Sequence, residues 1–284
     1  MRSHFPSLEN NQYHYGGHTT SIEVLLGDRR LLFDCGSGLC ALGQLLSQPS
    51  PGPSNPAPIL AQIFLTRAHW DRIQGFPFFL PAFQAQNQFH IYGPVAITGA
   101  STKQQLMDQM RRPYCAVSLR DMQANLAFSD LQPRQRLVLA DEIMVECFNL
   151  CTQEVVLGYR ITWQGWTLVY ATAVERPQDD PAWETLLAMA HGADLMIYGQ
   201  ADDVQDWRSQ PPTLGQPFDP DQVDWDWQAG LRLAEQAQVR RLMVVRHQPF
   251  WSDRWLAQFE LAMQQRFPAS ELAREGQGLI LSPH

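Results

Sequence analysis

The chain has no apolar run approaching the roughly 18–20 residues that span a bilayer. Its opening residues, Met1 to Pro6, carry no apolar stretch of the signal-peptide kind. Those two absences set the expectation of a cytoplasmic protein without a membrane partner. Basic residues are also short: 21 Lys and Arg stand against 29 Asp and Glu, a formal net charge of −8. That balance argues against a dedicated nucleic-acid surface, although a local basic pocket remains compatible with it. Cysteine is sparse and odd in number, with Cys35, Cys40, Cys115, Cys147 and Cys151 at no framework spacing. Reduced thiols are the expectation. No internal repeat shows at periods of about 20–50 residues, which excludes solenoids and propellers. The Gly-rich turn Asp34–Gly38 lacks the spacing of either nucleotide-binding fingerprint.

What is present is an ordinary globular composition, 45% hydrophobic and 18% charged over 284 residues, enough chain to bury a full core. We read residues 1–284 as one domain. Residues 20–34 alternate around Gly27-Asp28 and predict a β-hairpin, followed by a helical pattern from Leu39 to Leu46. A Pro/Ser surface loop fills 48–58. Strands are expected at Ile63–Leu65, Phe89–Gly93, Leu137–Cys147, Gly158–Thr162, Trp166–Thr172, Ala193–Tyr198 and Arg241–Val245. Helices are expected at 98–111, 227–238 and 252–266. Strand sets each followed by helices fit two sheets packed face to face with helices outside.

The centre of the sequence is residues 63–81. The buried strand ends at Thr66 and opens into a turn carrying Arg67, His69, Asp71 and Arg72, before Gly75 leads back into apolar chain. A strand end, clustered charge and then core again is how an α/β fold presents a site at the carboxyl edge of its sheet. The cluster resembles the His-x-His-x-Asp-His motif of the metallo-β-lactamase superfamily, with Arg67 and Arg72 where the first and last His belong. Further landmarks follow in order: Tyr15-Gly-Gly, Asp34-x-Gly-x-Gly, Gly75-Phe-Pro-Phe-Phe, Leu157-Gly-Tyr-Arg, Tyr170-Ala-Thr-Ala, Ala193-Asp-Leu-Met-Ile-Tyr and Val244-Val-Arg-His-Gln-Pro. Together they are similar to the branch holding tRNA 3′-processing endonucleases and related phosphodiesterases. The resemblance implies a four-layer αββα sandwich and, in intact members, a two-zinc hydrolytic site.

Carried over residue by residue, the resemblance keeps His69 and Asp71 among the metal ligands. Arg67 and Arg72 are guanidiniums that stay protonated and cannot ligate. Thr152 stands in a third His slot, Ala173 replaces the bridging carboxylate, and Arg246 fills the last His slot with His247 one residue on. The branch's proton-donating His has no counterpart in Gln222–Trp227. No cofactor is expected on this reading. A single zinc held by His69, Asp71, Cys151 and His247 is the alternative, as an active metal-dependent hydrolase. Two further readings stay open. Arg67, Arg72 and Arg246 keep the positive field of the lost metals and suit phosphate oxygens, predicting an anionic or phosphorylated ligand bound with His69, Asp71, His247 and His18. Alternatively Arg67 and Arg72 pair with Asp71 and neighbouring acids and plug a dead cavity, leaving a scaffold for a protein partner or homodimer. In the open-pocket reading, replacing either Arg with His changes stability by less than about 1 kcal/mol.

Several other residues invite readings. Trp207, Trp225, Trp227, Trp251 and Trp255 suit core packing, or an interface or stacking platform. His14 and His18 flank the Gly-Gly turn, while His90 and His191 read as structural. Asp202, Asp203 and Asp206 read as a solvated acidic loop. Cys35 has no neighbour that would lower its pKa.

Overall fold

The computed structural model describes residues 15–48, 57–174, 180–200, 226–245 and 251–281. Expectations about His14, Asp202, Asp203, Asp206, Trp207, Trp225, Arg246, His247, most of the Pro/Ser loop and most of Gln222–Trp227 lie outside these residues.

The strands are β1 (Ile22–Leu26), β2 (Arg29–Phe33), β3 (Leu60–Phe64), β4 (Gln88–Pro94), β5 (Asn125–Leu131), β6 (Arg136–Val138), β7 (Met144–Asn149), β8 (Leu157–Trp163), β9 (Trp166–Val174), β10 (Leu195–Gln200), β11 (Leu242–Val244) and β12 (Ser270–Leu272). The helices are α1 (Gly38–Leu46), α2 (Trp70–Ile73), α3 (Thr102–Gln109), α4 (Asp180–Ala190), α5 (Asp226–Gln236) and α6 (Asp253–Arg266). A five-stranded sheet has the order β1-β2-β3-β4-β5, and a seven-stranded sheet the order β12-β11-β10-β9-β8-β7-β6. In the first sheet only the β1–β2 hairpin is antiparallel; β2 to β5 are parallel. In the second, β9 to β12 are parallel and β6 to β9 antiparallel.

Three apolar layers follow from strand alternation. Leu31, Phe33, Phe64 and Tyr92 face Val145, Tyr159, Ile161, Tyr170 and Ile197 between the sheets. Residues of opposite parity, Leu32, Ile63 and Ile91, pack against α1 and α3 through Leu39 and Leu106. On the far side Val169, Ala171, Ala173 and Met196 pack under α4, α5 and α6 through Met189, Leu231 and Phe259. Helix, sheet, sheet, helix is the four-layer sandwich expected from the sequence. Trp251 and Trp255 stack with Phe259 against this outer core, the packing role the sequence allowed them.

Element boundaries differ in instructive places. The expected strand at Ile63–Leu65 runs instead from Leu60 to Phe64. The helix expected over 98–111 starts at Thr102, where the Ser101 side chain caps Gln104 N at 3.2 Å, and ends at Gln109. The single strand expected over Leu137–Cys147 is two, split by a turn in which Asp141 and Glu142 take positive φ. β5, α4 and β12 were not anticipated.

The parallel register brings the site together. Phe33 pairs with Phe64, so β2 and β3 end at the same sheet edge, and Asp34 N donates to Phe64 O at 2.9 Å. Thr66 thereby lies beside Asp34.

Candidate functional site

Two backbone turns hold the cluster in place. After β2 the chain turns at Asp34, whose φ of 58° is left-handed, into Cys35 and Gly36. After β3 it turns through Thr66 to α2, and the two turns interlock: Cys35 N donates to Arg72 O at 2.7 Å and Gly75 N to Cys35 O at 2.8 Å. A Cβ on Gly75 would stand 2.1 Å from Gly36 O, so only glycine allows this approach. The second sheet grips the same turn. Leu157 N donates to Thr66 O at 2.9 Å, and the Tyr159 hydroxyl donates to Leu65 O at 2.6 Å.

Asp34 is the hub and is fully buried. Its carboxylate accepts from Thr66 N at 2.8 Å, Thr66 Oγ1 at 3.0 Å, Tyr170 OH at 2.8 Å and Arg72 Nη1 at 2.6 Å. Arg72 is fully buried too, and donates onward to Thr172 Oγ1 at 2.7 Å and to the Thr172 carbonyl. Asp71 Oδ2 lies 3.1 Å from Arg72 Nε, close enough for charge attraction but not aligned for a hydrogen bond. Burial by itself would lower the Arg72 pKa, but Asp34, Tyr170 and Asp71 together raise it. Burial, and then the Asp34 charge, hold the Tyr170 phenol well above its usual range. The result is a neutralised ion pair in which one guanidinium ties the end of the first sheet to β9 of the second.

A second group lies toward the surface. Arg67 is nearly buried, and its Nη1 donates to Glu154 Oε1 at 3.1 Å; the same oxygen stands 3.5 Å from His69 Nε2. His69 is half exposed at the start of α2. Among the described residues the buried Arg67 Nε has no hydrogen-bond partner. Glu154 comes from the turn between β7 and β8. Sequence reasoning missed it because it lies 87 residues from Arg67 and belongs to no motif. Asp34 and Thr172 were legible as landmarks but not as partners of Arg72.

The profile of the Beta-lactamase superfamily domain matches residues 29–247. The chain belongs to that superfamily. The metallo-β-lactamase fold protein YhfI from Bacillus subtilis is 18% identical over 94% of this chain and 96% of its own, with a TM-score of 0.59. Zinc-bound PqqB from Methylobacterium extorquens is 17% identical over 92% of this chain and 86% of its own, at 0.58. Human tRNase Z, short form, is 18% identical over 81% and 87%, at 0.51. At these identities the likeness shows the fold alone. No curated protein matches the chain.

The superfamily implies zinc, and the described residues do not fit it. Asp34 spends its carboxylate on four protein donors, and Arg67 and Arg72 supply only donors. Ala173 is packed in the outer core, and among the described residues no three or more His, Cys, Asp or Glu are placed to hold a metal ion. His69, Asp71 and Cys151 therefore form no such group by themselves, and His247 lies outside the described residues. The polar contacts of His18 are Ser37 Oγ at 3.0 Å and Glu275 Oε1 at 2.8 Å, neither a member of the cluster. An open, hydrated pocket around both arginines does not describe Arg72, because every donor it directs at Asp34 and Thr172 is enclosed. The open-pocket condition under which its replacement by His is nearly neutral is therefore not met by Arg72.

Proposed function

We propose that this chain is a non-hydrolytic member of the superfamily that binds an anionic, phosphorylated ligand through Arg67 and His69, while Arg72 serves as the internal tie of a converted metal site. The observation that carries the non-hydrolytic part is the Arg72 guanidinium seated between Asp34 and Thr172 with none of its surface exposed. A permanently protonated group there can neither ligate a metal nor activate water as a base. Arg67 and His69 support the binding part. One is a nearly buried guanidinium, the other a half-exposed imidazole, and both already hold one carboxylate oxygen. Two or three charge-assisted bonds, less the cost of association, suggest affinity in the roughly micromolar to millimolar range for phosphate or a mononucleotide. Arg246 and His247 join this reading from the sequence only.

Elemental analysis after expression with added zinc tests the first part, together with a phosphodiester hydrolysis assay. No stoichiometric metal and no chelator-sensitive turnover are expected. One or two equivalents of zinc retained through dialysis, with turnover that chelators abolish, would restore the single-metal hydrolase.

A protein partner is the second reading. Trp70, next to His69, is 65% exposed, and an exposed aromatic beside a binding group suits a contact.

A further inference from the structure

The turn that carries Glu154 is fixed at its base. Leu150 N donates to Val156 O at 2.8 Å, Val156 N donates to Asn149 Oδ1 at 3.0 Å, and Asn149 Nδ2 donates to Cys151 O at 2.6 Å. The cross-sheet bond from Leu157 N to Thr66 O then sets the turn opposite Arg67. Among the described residues Glu154 makes its polar contacts with Arg67 and His69 alone. Its side chain is about a third exposed, against a tenth for Arg67. The carboxylate therefore sits at the solvent side of a deeper guanidinium, where an entering anion would arrive.

We infer that Glu154 is a tethered competitor that fills the anion subsite of Arg67 and His69, and that a ligand's terminal phosphate enters by displacing it. This rests on the binding reading given above. One Glu154 oxygen, sharing a single negative charge, uses one Arg67 donor. A phosphate monoester brings up to two negative charges and three acceptor oxygens, so it can replace the Glu154 bond to Arg67 Nη1 with a more highly charged acceptor and still face His69. A neutral ligand cannot make that exchange, and a single carboxylate merely repeats what the tether already does. The class selected is thus a small molecule or chain end bearing a phosphate monoester. Displacement leaves Glu154 solvated, since its side chain is already partly exposed and its turn reaches the surface.

Calorimetric titration of inorganic phosphate and of adenosine monophosphate into four proteins tests this: the wild type, Glu154→Gln, Glu154→Ala and Arg67→Ala. Ionic strength is held low because the attraction is screened. Removing the competing charge should tighten binding at least about tenfold in both Glu154 variants, whether or not wild-type binding is measurable, while Arg67→Ala should bind nothing. Glu154→Gln keeps an oxygen that accepts from Arg67, so it reports even where the Ala variant folds poorly. If the wild type binds and the Glu154 variants bind equally or more weakly, the competitor is overturned and the anion site stands. If neither Glu154 variant binds below about 10 mM, both fall.

Discussion

A guanidinium with no exposed surface is tolerable only if its charge is answered, and that of Arg72 is answered by Asp34, by the hydrogen bonds to Thr172 and by the nearby Asp71. Removing the Thr172 hydroxyl by Thr172→Val deletes one charge-assisted bond and strands a buried donor. We expect a loss of about 1.5–3 kcal/mol in equilibrium denaturation. Arg67 differs, because its partner Glu154 is partly solvated, and Arg67→Ala should cost about 1 kcal/mol, mostly in packing. The cysteines make a separate prediction. Burial pushes the Cys147 thiol up to about 12 and Cys35 well above its ordinary value, with Asp34 adding to the rise at Cys35. Iodoacetamide at mildly alkaline pH should leave both unmodified until denaturant is added, as mass mapping would show. Modification of either in the native protein would contradict the burial. At this scale the sequence disclosed which residues had replaced ligands, but not where they point. Arg72 could equally have lined a pocket or filled one, and the deciding partner lies 38 residues upstream.

The elements owe their placement to turns more than to propensity. Gly75 lets the α2 turn lie against Gly36, and Gly75→Ala forces a Cβ into a backbone carbonyl that cannot rotate away. A loss of about 2–4 kcal/mol is expected, larger than the roughly 1 kcal/mol for removing the α3 cap with Ser101→Ala. Comparable losses in the two variants would mean that the interlocked turns give way. His90 on β4 contributes a pH dependence. Its Nε2 lies 2.8 Å from Ser129 Oγ on β5, its Nδ1 3.1 Å from Tyr92 OH, and burial lowers its pKa. The unfolded chain then binds more protons at this site, so the stabilisation is complete above the unfolded histidine pKa and is lost as pH falls below it. Denaturation midpoints measured between about pH 7 and pH 5 should drop, and His90→Gln should flatten part of that drop. Long apolar strands such as β9 were legible because neighbours on both faces demand apolar side chains. β5 was not, since as an edge strand it carries polar Ser129 and Asp130 and reads as loop. The split between β6 and β7 was hidden because positive φ at Asp141 and Glu142 leaves no mark in composition.

Across the molecule, the sheets meet through an apolar layer whose aromatic members, Phe33, Phe64, Tyr159 and Tyr170, touch one another. At one end that layer closes with polar ties: Tyr159 to Leu65, Leu157 to Thr66, Tyr170 to Asp34 and Arg72 to Thr172. In the superfamily this is where the resemblance implies metal ions. Here the Arg72 guanidinium is one of the ties between the sheets. The four-layer fold was legible in the ordered landmarks, since each marks a strand end or turn that the sandwich requires. Glu154 was not legible, because only the folded chain brings it to Arg67. The account stands or falls on whether Arg72, not a metal, holds this end together. The direct measurement is equilibrium denaturation of the wild type and of Arg72→Ala, each with a strong chelator and with added zinc. The wild-type midpoint should ignore both additions, and Arg72→Ala should lose about 3–5 kcal/mol because Asp34 is left charged and buried. A wild-type midpoint that falls with chelator and rises with zinc, or an Arg72→Ala protein within about 1 kcal/mol of the wild type, would contradict it.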